Sequence, residues 1–178
     1  MFSLIKLFVI AGFIVFFSGC FGAKPAVEVK GYEKVFENED IYILHALYLE
    51  EAQNHNGASN LFYTLYEETT KKEYLYRSLK NDLAANENER VIQRVDEISE
   101  NKIDDFELTR LKIIALIKEE KLLEAKELAV KLVELSNDVD DYLLTSEIFI
   151  KLKKYNTAMK YLESAYVKDY NENILEKM

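Results

Sequence analysis

One cysteine, two histidines and several adjacent carboxylates are the side chains in this sequence with the means to do chemistry. Cys20 closes the stretch Phe16-Phe17-Ser18-Gly19-Cys20. A thiol there is a nucleophile if a base activates it, half of an intermolecular disulfide if the chain is exported, a small buried residue, or a point of processing. No His or Asn lies near it in sequence to complete a catalytic set, and the residues around it lack the patterning of a folded domain. His45 falls mid-helix and His55 beside Asn54 and Asn56, with no Cys or carboxylate at ligand spacing, which makes a poor metal site. Glu50-Glu51, Glu67-Glu68 and Asp104-Asp105 are paired in sequence, but neighbouring residues on a helix point apart, so these read as solvated faces. A phosphate-binding loop needs several glycines, and only Gly57 follows Gly31. The residues therefore point to a chain that is not an enzyme and takes no cofactor and no metal.

The elements that would position these residues are helices. After Gly31 the chain has one glycine and no proline, and it is rich in Leu, Lys, Glu and Ala. That composition predicts an all-α fold. A hydrophobic fraction of 49% supports a core, and 31% charged residues exclude a protein embedded in a bilayer throughout. A net charge of −9 opposes nucleic-acid binding, which needs a basic footprint, and opposes electrostatic docking on anionic lipid.

The first residues have a different character. Lys6 is followed by the apolar run Leu7 to Phe17, then by the small pair Ser18-Gly19 before Cys20. That order predicts a secretory signal peptide. The run is too short for a spanning helix, which needs about 20 apolar residues. A small pair before cysteine resembles the bacterial lipobox, with Phe17 where that pattern prefers Leu. The resemblance implies cleavage after residue 19 and acylation of Cys20 with palmitate-type chains. It gives residues 1–19 as signal, 20–37 as lipidated cysteine and tether, and 38–178 as the folded domain. Phe21, where an Asp would favour inner-membrane retention, leans the expectation to the outer membrane, with the domain facing the periplasm.

From residue 38 apolar-periodic segments alternate with short polar breaks, predicting helices near 39–53, 58–69, 72–85, 88–99, 105–119, 122–135, 139–152 and 155–167. A period runs through them. Ala58, Val91, Ala125 and Ala158 are 33, 34 and 33 residues apart. Four residues after each stand Phe62, Val95, Ala129 and Leu162, and seven after each Leu65, Ile98, Leu132 and Ala165, one face of a helix. Twelve before each stand Ala46, Leu79, Ile113 and Ser146. Acidic residues at Asp104 and Asp138, each with a second acid three residues on, predict N-caps, and Gly57 predicts a left-handed helix stop.

A period of about 34 residues in helix–turn–helix units resembles the tetratricopeptide repeat family. The unit "DYLLTSEIFIKLKKYNTAMKYLESAY" matches best, through small residues at Ser146, Ala158 and Ala165 and the aromatic Tyr155. The first matches through Ala46, Ala58 and Phe62, and the third at Ala125. The second departs from the pattern, with Leu79 and Val91 for small residues and Asp82 where a large apolar one belongs. No unit has the family's closing proline, and "NENILEKM" reads as the opening of another helix. The resemblance implies an α-solenoid of about four antiparallel helix pairs in a right-handed superhelix.

It also implies a groove lined by the first helix of each pair. Mapped here, the groove holds Ile43 and Leu47, then Tyr76 and Lys80, then Arg110, Ile114 and Ile117, then Leu143, Glu147 and Ile150. Such a surface, with Lys80 and Arg110 as central cations, suits a peptide with apolar anchors. Tyr42, Tyr48, Tyr63, Tyr66, Tyr74 and Tyr76 crowd the first half, as interface residues or as fillers between helices. The expected function is a membrane-anchored scaffold that binds other envelope proteins. Two other readings stand: an oligomerising structural piece of a longer repeat protein, and a module for a small ligand or peptidoglycan.

Overall fold

The computed structural model describes residues 37–99, 103–170 and 172–178. The apolar leader, Cys20 and the tether up to residue 36 lie outside the described residues. Among the described residues nine helices follow in order: α1 Glu39–Glu51, α2 His55–Thr69, α3 Lys72–Ala84, α4 Asn88–Ser99, α5 Phe106–Lys118, α6 Leu122–Ser136, α7 Val139–Lys151, α8 Tyr155–Asp169 and α9 Glu172–Leu175. Each of the first eight packs on its neighbours in the chain, and α3 also touches α5. The result is an all-α solenoid of four antiparallel helix pairs: α1–α2, α3–α4, α5–α6 and α7–α8.

The period places the core. Ala46 and Ala58, where α1 crosses α2, are both 0% exposed, so the backbones approach closely. Ala125, Ser146, Ala158 and Ala165 are buried in the later pairs, and Phe62 fills the first cluster beside Leu65. Leu79 and Val91, the large residues of the second pair, are also wholly buried. A large apolar side chain at such a site contributes roughly 1.5–3 kcal/mol by leaving water.

The turns repeat with the same period. Gln53, Asn86, Glu120 and Lys153 all have φ between 57° and 59°. Each sits in the turn within a helix pair, and the following residue donates its N–H five residues back: Asn54 to Leu49, Glu87 to Asp82, Lys121 to Leu116 and Lys154 to Phe149. These are Schellman closures, which tie up the last carbonyls of a helix. Left-handed backbone at a residue with a Cβ costs about 1–2 kcal/mol, less for Asn. Glu120→Gly and Lys153→Gly should therefore each raise the urea midpoint, by about 0.5–1 kcal/mol in stability after glycine's added chain entropy is set against the relief.

Gly57 is not the stop its residue type predicts. It lies inside α2, and its N–H is accepted by the Asn54 side chain, which caps the helix. Gln53 takes the left-handed position instead, so α2 begins at His55 rather than at residue 58. Gly57 serves a close approach, since a Cβ there would come within 3.0 Å of Leu49 Cδ1. At α5 the cap is Asp105, not Asp104, and it accepts from the Leu108 N–H. Asp138 does cap α7, but Asp141 does not reach back to it, because Arg110 and Ser136 hold its carboxylate.

Candidate functional site

The first helices of the pairs are joined by buried carboxylates near their N-termini. Glu39 is 0% exposed, Asp105 9% and Asp141 1%. The partners come from about one period away. Lys71 Nζ and Tyr74 Oη donate to Glu39 at 2.9 and 2.8 Å, while Lys72 Nζ and Tyr76 Oη donate to Asp105 at 2.7 and 2.8 Å. Arg110 forks onto Asp141 at 2.6 and 2.8 Å. The two lysines that open α3 thus reach opposite ways, one to the first unit and one to the third.

This ladder reassigns the predicted groove. Lys80 pairs with Glu107 at 2.7 Å and Arg110 is taken by Asp141, so the two central cations hold the solenoid together rather than waiting for a ligand. Tyr76 is half-buried with its hydroxyl on Asp105. Burial, and then that hydrogen bond, push its ionisation well above the usual range for a phenol. Ile43 and Leu47 are half-buried against the first core cluster.

The remaining predicted residues come together at two clefts. Ile114, Ile117 and Glu147 line one of ≈ 1070 Å³ between α5 and α7, with Leu122, Leu144, Lys118, Glu120, Lys151 and Lys153. Leu143, Glu147 and Ile150 line an adjoining one of ≈ 420 Å³, with Leu162 and Lys177. Reading one helical face found Leu143 and missed Leu144, and it passed over Lys151 at the end of α7 and Lys153 in the turn after it. The run Leu152-Lys153-Lys154 after Lys151 was their only mark in the sequence. Lys118 donates to the Leu83 carbonyl at 2.8 Å, and Lys151 lies 3.7 Å from Glu147. Three cations against two carboxylates make this cleft basic within an acidic chain.

Most tyrosines of the first half lie between helices. Tyr74 stacks near Phe62, with centroids 6.5 Å apart, and Tyr63 lies under the Arg94 guanidinium at 3.9 Å. Tyr48 stays 66% exposed.

The candidate reactive groups have structural partners or open positions. His45 is exposed on α1, and His55 Nδ1 lies 3.0 Å from Asn81 Oδ1. Glu50 is held by Arg77 and Asn81; burial opposes its charge, but those hydrogen bonds outweigh it and lower its pKa. Among the described residues no group of three His, Cys, Asp or Glu could hold a metal ion, and no helix is long and apolar enough to cross a membrane.

No family model matches the chain, and no curated protein matches it. A solved structure, "MamA RS-1 ArsTM double mutant", superposes with a TM-score of 0.63 at 13% identity, covering 76% of this chain and 78% of that one. At that identity the likeness is one of fold.

Proposed function

We propose that the chain is a protein-binding scaffold of tetratricopeptide-like build, held to a bacterial envelope membrane by acyl chains on Cys20. The observation that carries the binding reading is the open cleft between α5 and α7, with Ile114, Ile117 and Leu144 at its apolar part and Lys118, Lys151 and Lys153 around it. An open, elongated surface with apolar anchors and a charged margin suits a peptide segment of another protein. The membrane reading rests on Leu7 to Phe17 and Ser18-Gly19-Cys20, because one acyl chain anchors only marginally and two or three hold a soluble domain in place.

The test compares wild type with Ile114→Asp and with Lys151→Glu/Lys153→Glu in pull-downs from envelope extracts. Both variants should reduce recovery of the same partners at least about tenfold, as loss of one interface hot spot does. The lysine pair is exposed, so its loss leaves the core intact. An unchanged set of partners rules the cleft out. In the same cells Cys20→Ser should move the protein out of the membrane fraction or leave an uncut precursor.

A further inference from the structure

Ile41, Leu44 and Tyr48 on α1 are 64%, 67% and 66% exposed. Steps of three and four residues put them on one stripe of the helix. In the second unit the middle position, Arg77, stays exposed, but in the third the whole stripe is covered. Its counterparts in the third unit are Leu108, Leu111 and Ala115, exposed 2%, 4% and 0% and packed on the core of the second unit. In the fourth unit Ile148 stands where Tyr48 stands in the first, 0% exposed against the third. The stripe on α1 is therefore an inter-unit surface whose preceding unit is missing among the described residues. What fits such a surface is the second helix of a pair.

The opposite end of the solenoid offers one. Ile174 of α9, 33 residues after Asp141, is the counterpart of Ile41, and it is 3% exposed against Leu162 and Ala165. α9 is four residues long, so it fills only the first position of the stripe on α8. Beside it an open cleft of ≈ 160 Å³ remains, with Met159, Leu162 and Met178 among its walls.

We propose that α1 of one copy docks on α8 of a second copy, in the place that α9 partly fills, so that copies join head to tail. Three apolar side chains of α1 replace the single Ile174. Continuity with the packing between units selects this pairing, since Ile174 already occupies on α8 the place that Ile41 would take. A contact between unlike surfaces propagates instead of closing at two copies. The proposal is independent of what the cleft between α5 and α7 binds.

Sedimentation velocity and light scattering on the full chain in non-ionic detergent test it, over a wide range of concentration. The mass of wild type should grow with concentration past two copies. Leu44→Glu and Met159→Glu should each stay monomeric, and their mixture should give a one-to-one dimer, since each keeps one working end. Both positions accept polar residues in this fold, since Arg77 and Lys126 stand at the corresponding places; far-UV circular dichroism checks that the variants are folded. Ile174→Ser should clear the α8 surface and shift association to about tenfold lower concentration. A wild type that stays monomeric overturns the proposal. So does a mixture that fails to dimerise, or association that stops at two copies and ignores Met159→Glu. If Leu44→Glu lowers the melting temperature of a monomeric wild type, the stripe is covered by the chain's own residues 1–36, and the proposal falls.

Discussion

Asp82→Ala lowers the stability of the solenoid by about 3–5 kcal/mol, seen as a fall in the urea midpoint at constant m-value. Asp82 is 0% exposed and sits among three helices. Arg90 and Arg94 from α4 reach its two oxygens at 2.6 Å each, and Ser59 of α2 donates to it. Arg94 also donates to Ser59 and Ser78 at 3.1 and 3.0 Å. Removing the carboxylate leaves two guanidinium groups facing each other and takes from the buried Ser59 hydroxyl the acceptor it donates to. The concerted change Asp82→Leu/Arg94→Met removes the buried charges together, and Arg90, 30% exposed, turns to water. That variant should recover to within about 1 kcal/mol of wild type, because an apolar replacement of a buried ion pair is often neutral or better. If the single and concerted changes cost the same, the network contributes by packing and not by charge.

Asp105→Asn costs about 2 kcal/mol and Asp105→Ala about 1 kcal/mol more. The residue does two things: it caps α5 through Leu108, and it receives Lys72 and Tyr76 from the second unit. Asn keeps the cap and loses the charge, whereas Ala loses both. Lys72 is 61% exposed, so water screens that pair, and the half-buried Tyr76 contact carries more of the effect. Burial works to raise the Asp105 pKa, but Lys72, Tyr76 and the Leu108 N–H outweigh it and hold it below the usual carboxylate value. Glu50 is lowered in the same sense. A carboxylate depressed in the folded state contributes its stability fully above the unfolded value, about 4, and loses it as pH falls through the folded one. Stability measured by denaturant at a series of pH values should therefore drop below about pH 4. The drop should be shallower in Asp105→Asn, which has one such group fewer.

The helices and their pairing were legible because small residues recur at Ala58, Ala125 and Ala158 with a fixed phase. No bundle of unrelated helices needs that phase. The start of α2 was misplaced because Gly57 looks like a stop, and nothing local tells that Gln53 takes the strained turn. The second unit read as the poorest match for the reason that makes it cohesive. Asp82 breaks an apolar pattern, and its compensation comes from Ser59, Ser78, Arg90 and Arg94, which meet only after three helices have packed. The groove was read least well. Lys80 and Arg110 share a face with Ile114, but their charges are taken by Glu107 and Asp141, 27 and 31 residues on. A search for opposite charges near one period would have exposed those pairs. The cleft's own lysines lie at helix ends and in turns, where face mapping does not look.

The inter-unit ladder also bears on how the chain acquires its structure. None of its hydrogen bonds or ion pairs described above joins residues more than 35 apart in sequence. Contact order is therefore low for a chain of this length, and closing each loop costs little entropy. As the chain emerges from its N-terminal end, α1 and α2 gain their partners once α3 is out, and Lys71 can engage Glu39 before Asp105 has emerged. Lys72, next to it, waits one unit longer. The order in which the two neighbouring lysines find their carboxylates runs from the N-terminal unit onward, so each pair docks on a finished surface.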